Sequence, residues 1–566
     1  MQWTKNYPPG IRWDADLPVK PLYALIDDAV AQFGANRAVD FLGKVYTYAE
    51  IGKLVDRAAA GFQKLGVKKG VHVGLFLPNC PQHLICYFGI LKAGGTVVNF
   101  SPLYSEPELM HQIEDSHTDI MVTLNLTALY PKMAAVLGKS RLKTLVVGTM
   151  TEVLPFPKSL LFPLLRGKDI AKVPSDSRHV SCSSLIDNDG KYVVAPVDAK
   201  NDVAVLQYTG GTTGVSKGAM LTHANIYANT LQSRLWFSSL EPGREKMLCV
   251  LPFFHVFAMT AVMCLSIMVG AEIIMHPRFE LVPVLKDIHK KKPTMLPGVP
   301  TMYTAINNYP EIGKYNLRSI KACISGAAPL PLKVKQRFEE LTGCRLVEGY
   351  GLTEASPVVS CNPLEGVNKE SSIGLPMPGT TITIVDRTNP ARDVPLGEPG
   401  EICVSGPQVM KGYWNRPEAT ADVLVNGRLR TGDVGYIDPD GYTFIIDRMK
   451  DLILVGGFNV FPRNVEEAIY KHPAVEETTV IGVPDDYQGE SVKAFVKLKK
   501  DQTLTADALR DFLRERIGKH ELPKHIEFRD ALPKTMVGKL SKKELVAEEK
   551  AKHEAAKRGG QQAAAQ

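Results

Sequence analysis

The strongest constraint on this chain is an apolar run that leads directly into a glycine-rich loop. Asp202–Gln207 has the length and the β-branched content of a buried strand, and Tyr208–His223 follows it with glycines, threonines, Ser216 and Lys217. The glycines let backbone amides approach a ligand closely, while the hydroxyls and Lys217 add donors and positive charge. This mixture predicts a polyphosphate site. Taken alone, the loop also fits a flexible surface connection.

The segments around this loop alternate between helix and strand patterns. Thr47–Glu50 is a capping box that predicts the start of a helix, and Pro81–Ala93 predicts another. Strands are predicted at Val71–Leu77 and Thr96–Phe100. This order is typical of parallel sheets flanked by helices. Because a chain of 566 residues exceeds the usual reach of one core, we expect two or more domains.

Four further motifs follow the loop in order along the chain. They are Glu348–Glu354, Arg430–Asp433, Asp447–Asp451 and Pro533–Lys539. Together with the loop, this set resembles the adenylate-forming superfamily, which includes acyl-CoA synthetases, luciferases and the adenylation domains of peptide synthetases. It is most similar to the long-chain fatty-acid CoA ligase branch. The resemblance extends from about Pro21 to about Leu545.

The resemblance implies a two-domain α/β fold. We expect a large multi-sheet α/β N-terminal adenylation domain over residues 1–446 and a small mobile α+β C-terminal domain over 451–545. Residues 447–450 would form the hinge between them, with Lys450 at the hinge position. Residues 546–566 show no core-forming pattern, and we expect them to be disordered.

The resemblance also implies an ATP site. Tyr350 would stack on the adenine, Asp433 would accept hydrogen bonds from the ribose hydroxyls with Arg448 beside it, and Thr353 would contact phosphate. The implied ATP-binding residues are Thr209, Gly210, Gly211, Thr212, Thr213, Gly214, Lys217, Gly326, Ala327, Glu348, Gly349, Tyr350, Gly351, Thr353, Asp433 and Arg448. Outside this ordered set, the charged members would be ordinary surface residues.

Three residues carry the implied catalytic roles. Lys539 would reach the carboxylate and the α-phosphate, where its point charge offsets the negative charge of the transition state. Glu354 would hold Mg²⁺, since a carboxylate beside a triphosphate is reasonable mainly with a metal between them. His255 would position the acyl-adenylate, although a histidine among aromatic residues also fits an ordinary core position. The nearby Lys534, Lys542 and Lys543 are expected to be solvated.

The implied reaction has two steps. A fatty carboxylate and ATP would form an acyl-adenylate and pyrophosphate, and the thiol of CoA would then displace AMP. Gly456 and Gly457 would flank the passage for the pantetheine arm of CoA. An acyl-AMP ligase that loads a carrier protein, and a medium-chain or aromatic acyl-CoA ligase, remain alternatives. Luciferase chemistry, a peptide-synthetase module, a transporter and a non-catalytic lipid-binding protein fit less well.

Composition bears on location and partners. Nine scattered cysteines without paired spacing favour a reducing cytoplasm, and the first residues lack the apolar core of a signal peptide. The net charge of +7 suits anionic ligands or an acidic membrane surface, and no nucleic-acid partner is expected. Met247–Ala271 is apolar and long enough to span a membrane, but Pro252 and His255 favour a buried strand, turn and helix. The oligomeric state is left open, with a homodimer as one option.

A second apolar segment predicts a different kind of membrane contact. Val153–Lys168 combines Phe and Leu residues with Lys158, Arg166 and Lys168. Such a segment can lie in the headgroup region of a membrane, here at its inner face, with its basic residues on anionic lipid. A loop that packs on its own domain is the alternative.

Overall fold

The structure is a computed structural model that describes residues 2–209, 216–485, 487–535 and 538–564, with the backbone alone over 556–564. Its strands, in chain order, are β1 Arg37–Phe41, β2 Lys44–Thr47, β3 His72–Leu75, β4 Thr96–Asn99, β5 Thr118–Leu124, β6 Thr144–Gly148, β7 His179–Ser181, β8 Val203–Thr209, β9 Lys217–Thr222, β10 Lys246–Cys249, β11 Glu272–Met275, β12 Ala322–Ser325, β13 Arg345–Gly351, β14 Val358–Cys361, β15 Ser372–Pro376, β16 Thr381–Val385, β17 Gly400–Ser405, β18 Gly412–Tyr413, β19 Leu424–Val425, β20 Arg428–Ile437, β21 Thr443–Arg448, β22 Ile453–Val455, β23 Phe458–Val460, β24 Val475–Asp485, β25 Gly489–Leu498 and β26 His525–Phe528.

Its α-helices are α1 Ala24–Phe33, α2 Tyr48–Lys64, α3 Pro81–Lys92, α4 Glu106–Asp115, α5 Tyr130–Leu137, α6 Lys158–Arg166, α7 Cys182–Leu185, α8 His223–Trp236, α9 Val256–Ala258, α10 Leu265–Met268, α11 Leu281–Lys291, α12 Pro300–Asn307, α13 Leu332–Thr342, α14 Pro417–Val423, α15 Pro462–Tyr470, α16 Ala506–Arg514 and α17 Lys542–Ala564. A π-helix, Met259–Cys264, joins α9 to α10.

The predicted alternation of helices and strands is confirmed. The hydroxyl of Thr47 accepts from the amide of Glu50, and the Glu50 carboxylate accepts from the amide of Thr47, so the capping box begins α2 as expected. Strands β3 and β4 pair in parallel, with α3 between them in the chain. This is the crossover unit that parallel strands require.

Three sheets form the N-terminal unit, residues 2–448. The first has the strand order β18-β9-β8-β4-β3-β5-β6-β7, the second β10-β11-β1-β2, and the third β12-β13-β14-β15-β21-β20-β17-β16, with β19 beside β20. Met295 bridges the second and third sheets by pairing with Met247 and Ala322. The segments that the sequence assigned to the nucleotide follow β8 and β12 and form the carboxyl end of β13.

A separate sheet forms the C-terminal unit, residues 451–545. Its strand order is β23-β22-β25-β24, with β26 beside β25. Its buried residues, from Ile453 to Leu513, pack in a cluster distinct from the large cluster that extends from Trp3 to Tyr442. A small unit with its own core can move as a body.

The end of the chain differs from the sequence prediction. The expectation of disorder from residue 546 is wrong where side chains are described, because α17 continues through this stretch. Glu548 pairs with Arg529 at 2.6 Å, Glu549 pairs with Lys493 at 2.9 Å, and Leu545 is buried. Ion pairs together with Leu545 and Val546, which pack against Ile481, Val483 and Phe495, thus attach the helix to the C-terminal sheet. Two apolar residues followed by charges form no periodic pattern that would reveal this attachment.

The apolar stretch Met247–Ala271 lies inside the N-terminal unit. It forms β10, α9, the π-helix and α10, and nearly all of its residues are buried. Within the described ranges, no helix is long and apolar enough to cross a membrane.

The segment Val153–Lys168 divides into two parts. Val153 and Leu154 are buried, whereas α6 buries none of its residues. The exposed apolar side chains of the whole segment are Phe156 (80%), just before α6, and Leu160 (65%), Leu161 (43%), Leu164 (80%) and Leu165 (73%) within it. Phe162, in the middle of α6, is partly buried against the large core. The segment therefore packs on its own domain at its start and through Phe162, while its other apolar side chains face outward.

Candidate nucleotide and acyl site

The two ends of the glycine-rich loop are held together by strand pairing. Thr209 at the end of β8 lies opposite Lys217 at the start of β9, and the hydroxyl of Ser216 donates to the carbonyl oxygen of Thr209 at 2.6 Å. Gly210, Gly211, Thr212, Thr213 and Gly214 lie outside the described residues. The described ends fix where the loop leaves and re-enters the sheet.

Glu354 lies next to this loop in a short 3₁₀ turn, Thr353–Ala355. Its carboxylate accepts a hydrogen bond from the hydroxyl of Tyr413 at 2.6 Å, and the Lys217 ammonium lies 5.1 Å from the centre of the same ring. Burial and the neighbouring Glu354 raise the pKa of Tyr413, so the phenol keeps its proton and donates. Tyr413 thus links the metal-binding candidate to the loop lysine.

The sequence analysis missed Tyr413. It lies 59 residues from Glu354 along the chain, and β18 brings it back beside β9. The aromatic pair Tyr413-Trp414 in a glycine- and proline-bounded segment was the available signal. This pair alone does not indicate that Tyr413 contacts Glu354.

Three predicted nucleotide residues form one connected group. The hydroxyl of Tyr350 donates to Asp433 Oδ2 at 2.5 Å, and Arg448 Nε lies 3.2 Å from Asp433 Oδ1. Strand pairing sets this geometry, because Asp433 and Arg448 are direct partners in β20 and β21. Burial and Asp433 raise the pKa of Tyr350. The group presents a carboxylate, a phenol and a guanidinium at one point, as a ribose site needs.

The predicted adenine loop begins where β12 ends. Gly326 lies close to Phe257, because a Cβ at residue 326 would meet that ring at 3.0 Å, and Ala327 has a left-handed φ of +66°. On the adjacent strand, a Cβ at Gly351 would lie 2.2 Å from the carbonyl oxygen of Pro357. A side chain at residue 326 would press on Phe257, and one at residue 351 would collide with Pro357, so the two glycines let these segments pack closely against their protein neighbours.

Glu348 and Gly349 precede Tyr350 on β13. Glu348 accepts from the amide of Leu330 at 3.4 Å, and burial raises the pKa of its carboxyl to about 7. Gly349 packs against Ile324, which a Cβ at this position would meet at 2.7 Å. Both residues therefore lie beside the loop that follows β12.

His255 caps α9. Its Nδ1 accepts from the amide of Phe257 at 3.3 Å, and burial together with Lys539 lowers the pKa of the imidazole to about 4. The ring is therefore neutral at physiological pH. Lys539 belongs to the C-terminal unit, and the residue before it, Gly538, contacts Thr301 of the N-terminal unit at 3.1 Å.

Lys539 is half-buried between the two units. Burial and the neighbouring Arg448 lower the pKa of its ammonium to about 8, while Asp433 and Asp451 act in the opposite direction. The structure thus brings together Lys539, His255, Asp433, Arg448 and Tyr350, which the sequence placed in five separate motifs.

Lys450, Gly456 and Gly457 lie apart from this group. Lys450 is exposed in a 3₁₀ turn, Met449–Asp451, and burial of its stem with the nearby Arg448 lowers its pKa. The two glycines turn the β22–β23 hairpin with φ of +56° and +87°, and both are exposed. In this arrangement Lys539 faces the site and the glycine hairpin faces solvent.

Two lysines expected to be solvated are paired instead. Lys534 contacts Glu477 at 2.6 Å, and Lys542 contacts Glu466 at 3.1 Å. Their carboxylate partners lie on β24 and α15, more than fifty residues earlier in the chain. The expectation holds for Lys543, which is exposed.

The described residues contain no group of three or more His, Cys, Asp or Glu side chains that could hold a metal ion. A single carboxylate is enough for Mg²⁺, which keeps several waters and binds through one or two carboxylates plus substrate phosphates. Glu354 beside the phosphate loop fits that requirement.

Comparison with known proteins shows which family the chain resembles over both units. The sequence model of the family described as AMP-binding enzyme matches residues 26–414, and that of its C-terminal domain matches residues 464–539. A long-chain-fatty-acid–CoA ligase of Bacillus subtilis is 45% identical over 97% of this chain and 98% of its own. One from Escherichia coli O6:H1 is 38% identical over 96% and 97%.

Among solved structures, the anthranilate CoA ligase AuaEII in complex with anthranoyl-AMP superimposes with a TM-score of 0.84. It is 25% identical, and the match covers 95% of this chain and 99% of the other. The likeness therefore includes both units.

Proposed function

The chain belongs to the AMP-binding enzyme family, and from this we propose that it converts a long-chain fatty acid, ATP and CoA into acyl-CoA, AMP and pyrophosphate. The observation that best supports the proposal is the joint geometry of the motifs: Tyr350 and Arg448 both contact Asp433, and Gly538, the neighbour of Lys539, contacts Thr301 of the N-terminal unit at 3.1 Å. The near full-length identity to long-chain fatty-acid CoA ligases supports the choice of substrate.

The first half-reaction uses the arrangement described above. A carboxylate oxygen of the fatty acid attacks the α-phosphorus of ATP, and the bond to the pyrophosphate oxygen breaks. Asp433 and Arg448 would hold the ribose, Tyr350 the adenine, and Lys217 the outer phosphates. Lys539 would supply positive charge where negative charge accumulates on the α-phosphoryl oxygens. His255, neutral and held by the amide of Phe257, would border the acyl carbonyl.

Mg²⁺ belongs to the same step. Glu354 would hold it together with the ATP phosphates, and it would neutralise charge on the departing pyrophosphate. Tyr413 keeps the Glu354 carboxylate oriented through its 2.6 Å hydrogen bond. Thr353, in the same turn, would contact phosphate.

The second half-reaction requires a different arrangement of the two units. We propose that rotation about Lys450 removes Lys539 and brings Gly456 and Gly457 to the acyl-adenylate. The sulfur of CoA then attacks the acyl carbonyl, the bond to AMP breaks, and the thiol proton leaves to solvent. The exposed position of both glycines beside this hinge supports the proposal.

The test is a panel of fatty acids from short to very long chains, assayed with ATP and Mg²⁺, with and without CoA. We expect acyl-CoA only when CoA is present, with the highest rate for long chains. Acyl-adenylate that accumulates even with CoA would indicate a ligase that loads a carrier protein. A preference for medium-chain or aromatic acids would favour the other alternative, which the 34% identity to a probable 4-coumarate–CoA ligase of Dictyostelium discoideum keeps open.

We also propose that α6 contacts the inner face of a membrane, where a long-chain substrate is dissolved. Five large apolar side chains of Phe156–Leu165 are exposed in one short segment, and Lys168 and Lys172 are exposed just after it. Apolar residues with basic neighbours suit the headgroup region of anionic lipid. The nine cysteines are free and buried, which supports a reducing cytoplasmic location.

Vesicle co-sedimentation tests this contact. We expect the protein to sediment with phosphatidylglycerol vesicles, and Leu164→Glu/Leu165→Glu to remain in solution. Val193→Glu/Val194→Glu is a matched control, because those side chains are 76% and 67% exposed elsewhere. If the α6 variant only dissociates a dimer and vesicle binding is unchanged, the surface joins two copies of this chain instead.

A further inference from the structure

The two units touch directly beside the catalytic lysine. The hydroxyl of Thr301, at the start of α12, donates a hydrogen bond to the carbonyl oxygen of Gly538 at 3.1 Å. Gly538 immediately precedes Lys539. The contact therefore joins residues 237 positions apart, one on each side of the hinge.

The backbone at Gly538 is shaped for this contact. Its φ is +77°, in the left-handed region that favours glycine. A Cβ there would lie 2.7 Å from Thr301 Oγ1 and 3.3 Å from Val299 Cγ2. A side chain at residue 538 would thus strain the backbone and collide with the hydroxyl of Thr301.

A short hairpin connects Gly538 rigidly to Lys539. Lys534 bridges to Leu540, the amide of Thr535 donates to the Lys539 carbonyl oxygen at 2.6 Å, and the amide of Gly538 donates to Thr535 at 2.9 Å. Met536 and Val537 lie outside the described residues. A displacement of Gly538 would therefore displace the Lys539 backbone as well.

Ion pairs fix both ends of the hairpin on the C-terminal unit. Lys534 contacts Glu477 at 2.6 Å on one side, and Lys542 contacts Glu466 at 3.1 Å on the other. The hairpin therefore moves with the C-terminal unit, and its Gly538 reaches Thr301 of the N-terminal unit.

We propose that Thr301 is a positioning residue for adenylate formation, because its hydroxyl docks the Lys539 hairpin when the two units close. This inference rests on the proposed function. Thr301 acts through Gly538 and Lys539, and it contributes nothing once the C-terminal unit has rotated away. Loss of the Thr301 hydroxyl should slow the first half-reaction and leave the rate of the second unchanged.

Three variants test the docking role. Thr301→Val removes the donor and keeps the shape, and Thr301→Ser restores the donor. Thr304→Val is the matched control on the same helix, since the Thr304 hydroxyl donates to Pro300 within α12 at 2.9 Å. ATP–pyrophosphate exchange reports the first half-reaction, and conversion of supplied acyl-adenylate with CoA reports the second. A melting curve for each variant checks that it is folded.

We expect Thr301→Val to slow exchange by about three- to tenfold, the effect of one neutral hydrogen bond, with thioester formation within about twofold of wild type. Thr301→Ser should recover most of the exchange, and Thr304→Val should change neither step. Equal loss in both half-reactions, or a loss that depends on acyl chain length, would mean that Thr301 lines the acyl site, and the proposal would be wrong.

The outcomes also separate the docking role from the proposed function. Wild-type protein that exchanges no pyrophosphate with any fatty acid would overturn both. Normal exchange in wild type and an unchanged rate in Thr301→Val would overturn the docking role alone.

Discussion

At the scale of single residues, the site depends on charges that are close together but belong to different motifs. Lys539 is the sharpest case, because Arg448 and burial lower its pKa while Asp433 and Asp451 support its charge. The sequence predicted Lys539, Asp433 and Tyr350 because each stands in an ordered motif. It missed Tyr413 and Thr301, whose roles depend on contacts 59 and 237 residues distant in the chain.

Replacement of Lys539 should separate the two half-reactions. In Lys539→Ala we expect adenylate formation to fall by about 100-fold or more, the usual effect of losing one preorganised electrostatic group. Conversion of supplied acyl-adenylate and CoA to thioester should continue. Equal loss of both activities would contradict the assigned division of roles.

The pKa of Lys539 predicts a pH dependence for the same step. Because this pKa is lowered to about 8, the ammonium loses its proton as the pH rises through that value, and kcat/KM for ATP in pyrophosphate exchange should fall. Thioester formation should instead rise there, since thiols ionise near about 8.5. Lys539→Arg, which stays charged, should lack the fall near pH 8 even if its rate is lower. A fall that persists in this variant would assign the titration to another group.

At the scale of elements, local sequence signals predicted the helices and parallel strands of the N-terminal unit. Contacts between distant residues, ion pairs among them, hold the C-terminal helix, which the sequence did not predict. The capping box at Thr47 begins α2, and the alternation of patterns gives parallel β3 and β4, because these features depend on neighbours in the chain. The tail was predicted incorrectly since α17 is held by Arg529 and Lys493, which no pattern within residues 546–566 can reveal. Lys542 was misjudged for the same reason.

The attachment of α17 can be tested at its first residue. Lys542→Met leaves Glu466 without its 3.1 Å partner in a half-buried place, and we expect a loss of about 1–2 kcal/mol in the stability of the C-terminal unit. Lys543→Met, at the adjacent exposed position, should cost almost nothing. Hydrogen exchange of β24 and α15 measures the difference, and similar protection in both variants would show that the pair is not stabilising.

At the scale of the whole molecule, two cores share one active site. The clusters separate between Tyr442 and Ile453, and the C-terminal unit presents Lys539 on one side and the glycine hairpin on another. The sequence motifs indicated both surfaces. They could not indicate which surface faces the site, because that depends on contacts between distant parts of the chain, such as the one between Thr301 and Gly538.

The glycine hairpin should matter only in the second half-reaction. Gly457 has a φ of +87° with open space around it, so Gly457→Ala adds backbone strain of about 1–2 kcal/mol and a methyl group at the proposed pantetheine passage. We expect thioester formation to slow by about tenfold and pyrophosphate exchange to stay near wild type. Slower exchange would indicate that the hairpin also serves the closed arrangement.

The Thr301–Gly538 hydrogen bond also bears on turnover. Under the proposed rotation this contact breaks once in every catalytic cycle, so it serves as a clasp between the units only if it is weak. One neutral hydrogen bond shifts the balance between shut and open forms by roughly two- to thirteenfold, which thermal motion can reverse within a cycle. An ion pair in place of this hydrogen bond would keep the two units closed after pyrophosphate has left. Separation of the units would then limit the rate of turnover. A hydrogen bond from the Thr301 hydroxyl to the Gly538 carbonyl oxygen is therefore a compromise. It is strong enough to favour the first step and weak enough not to slow the second.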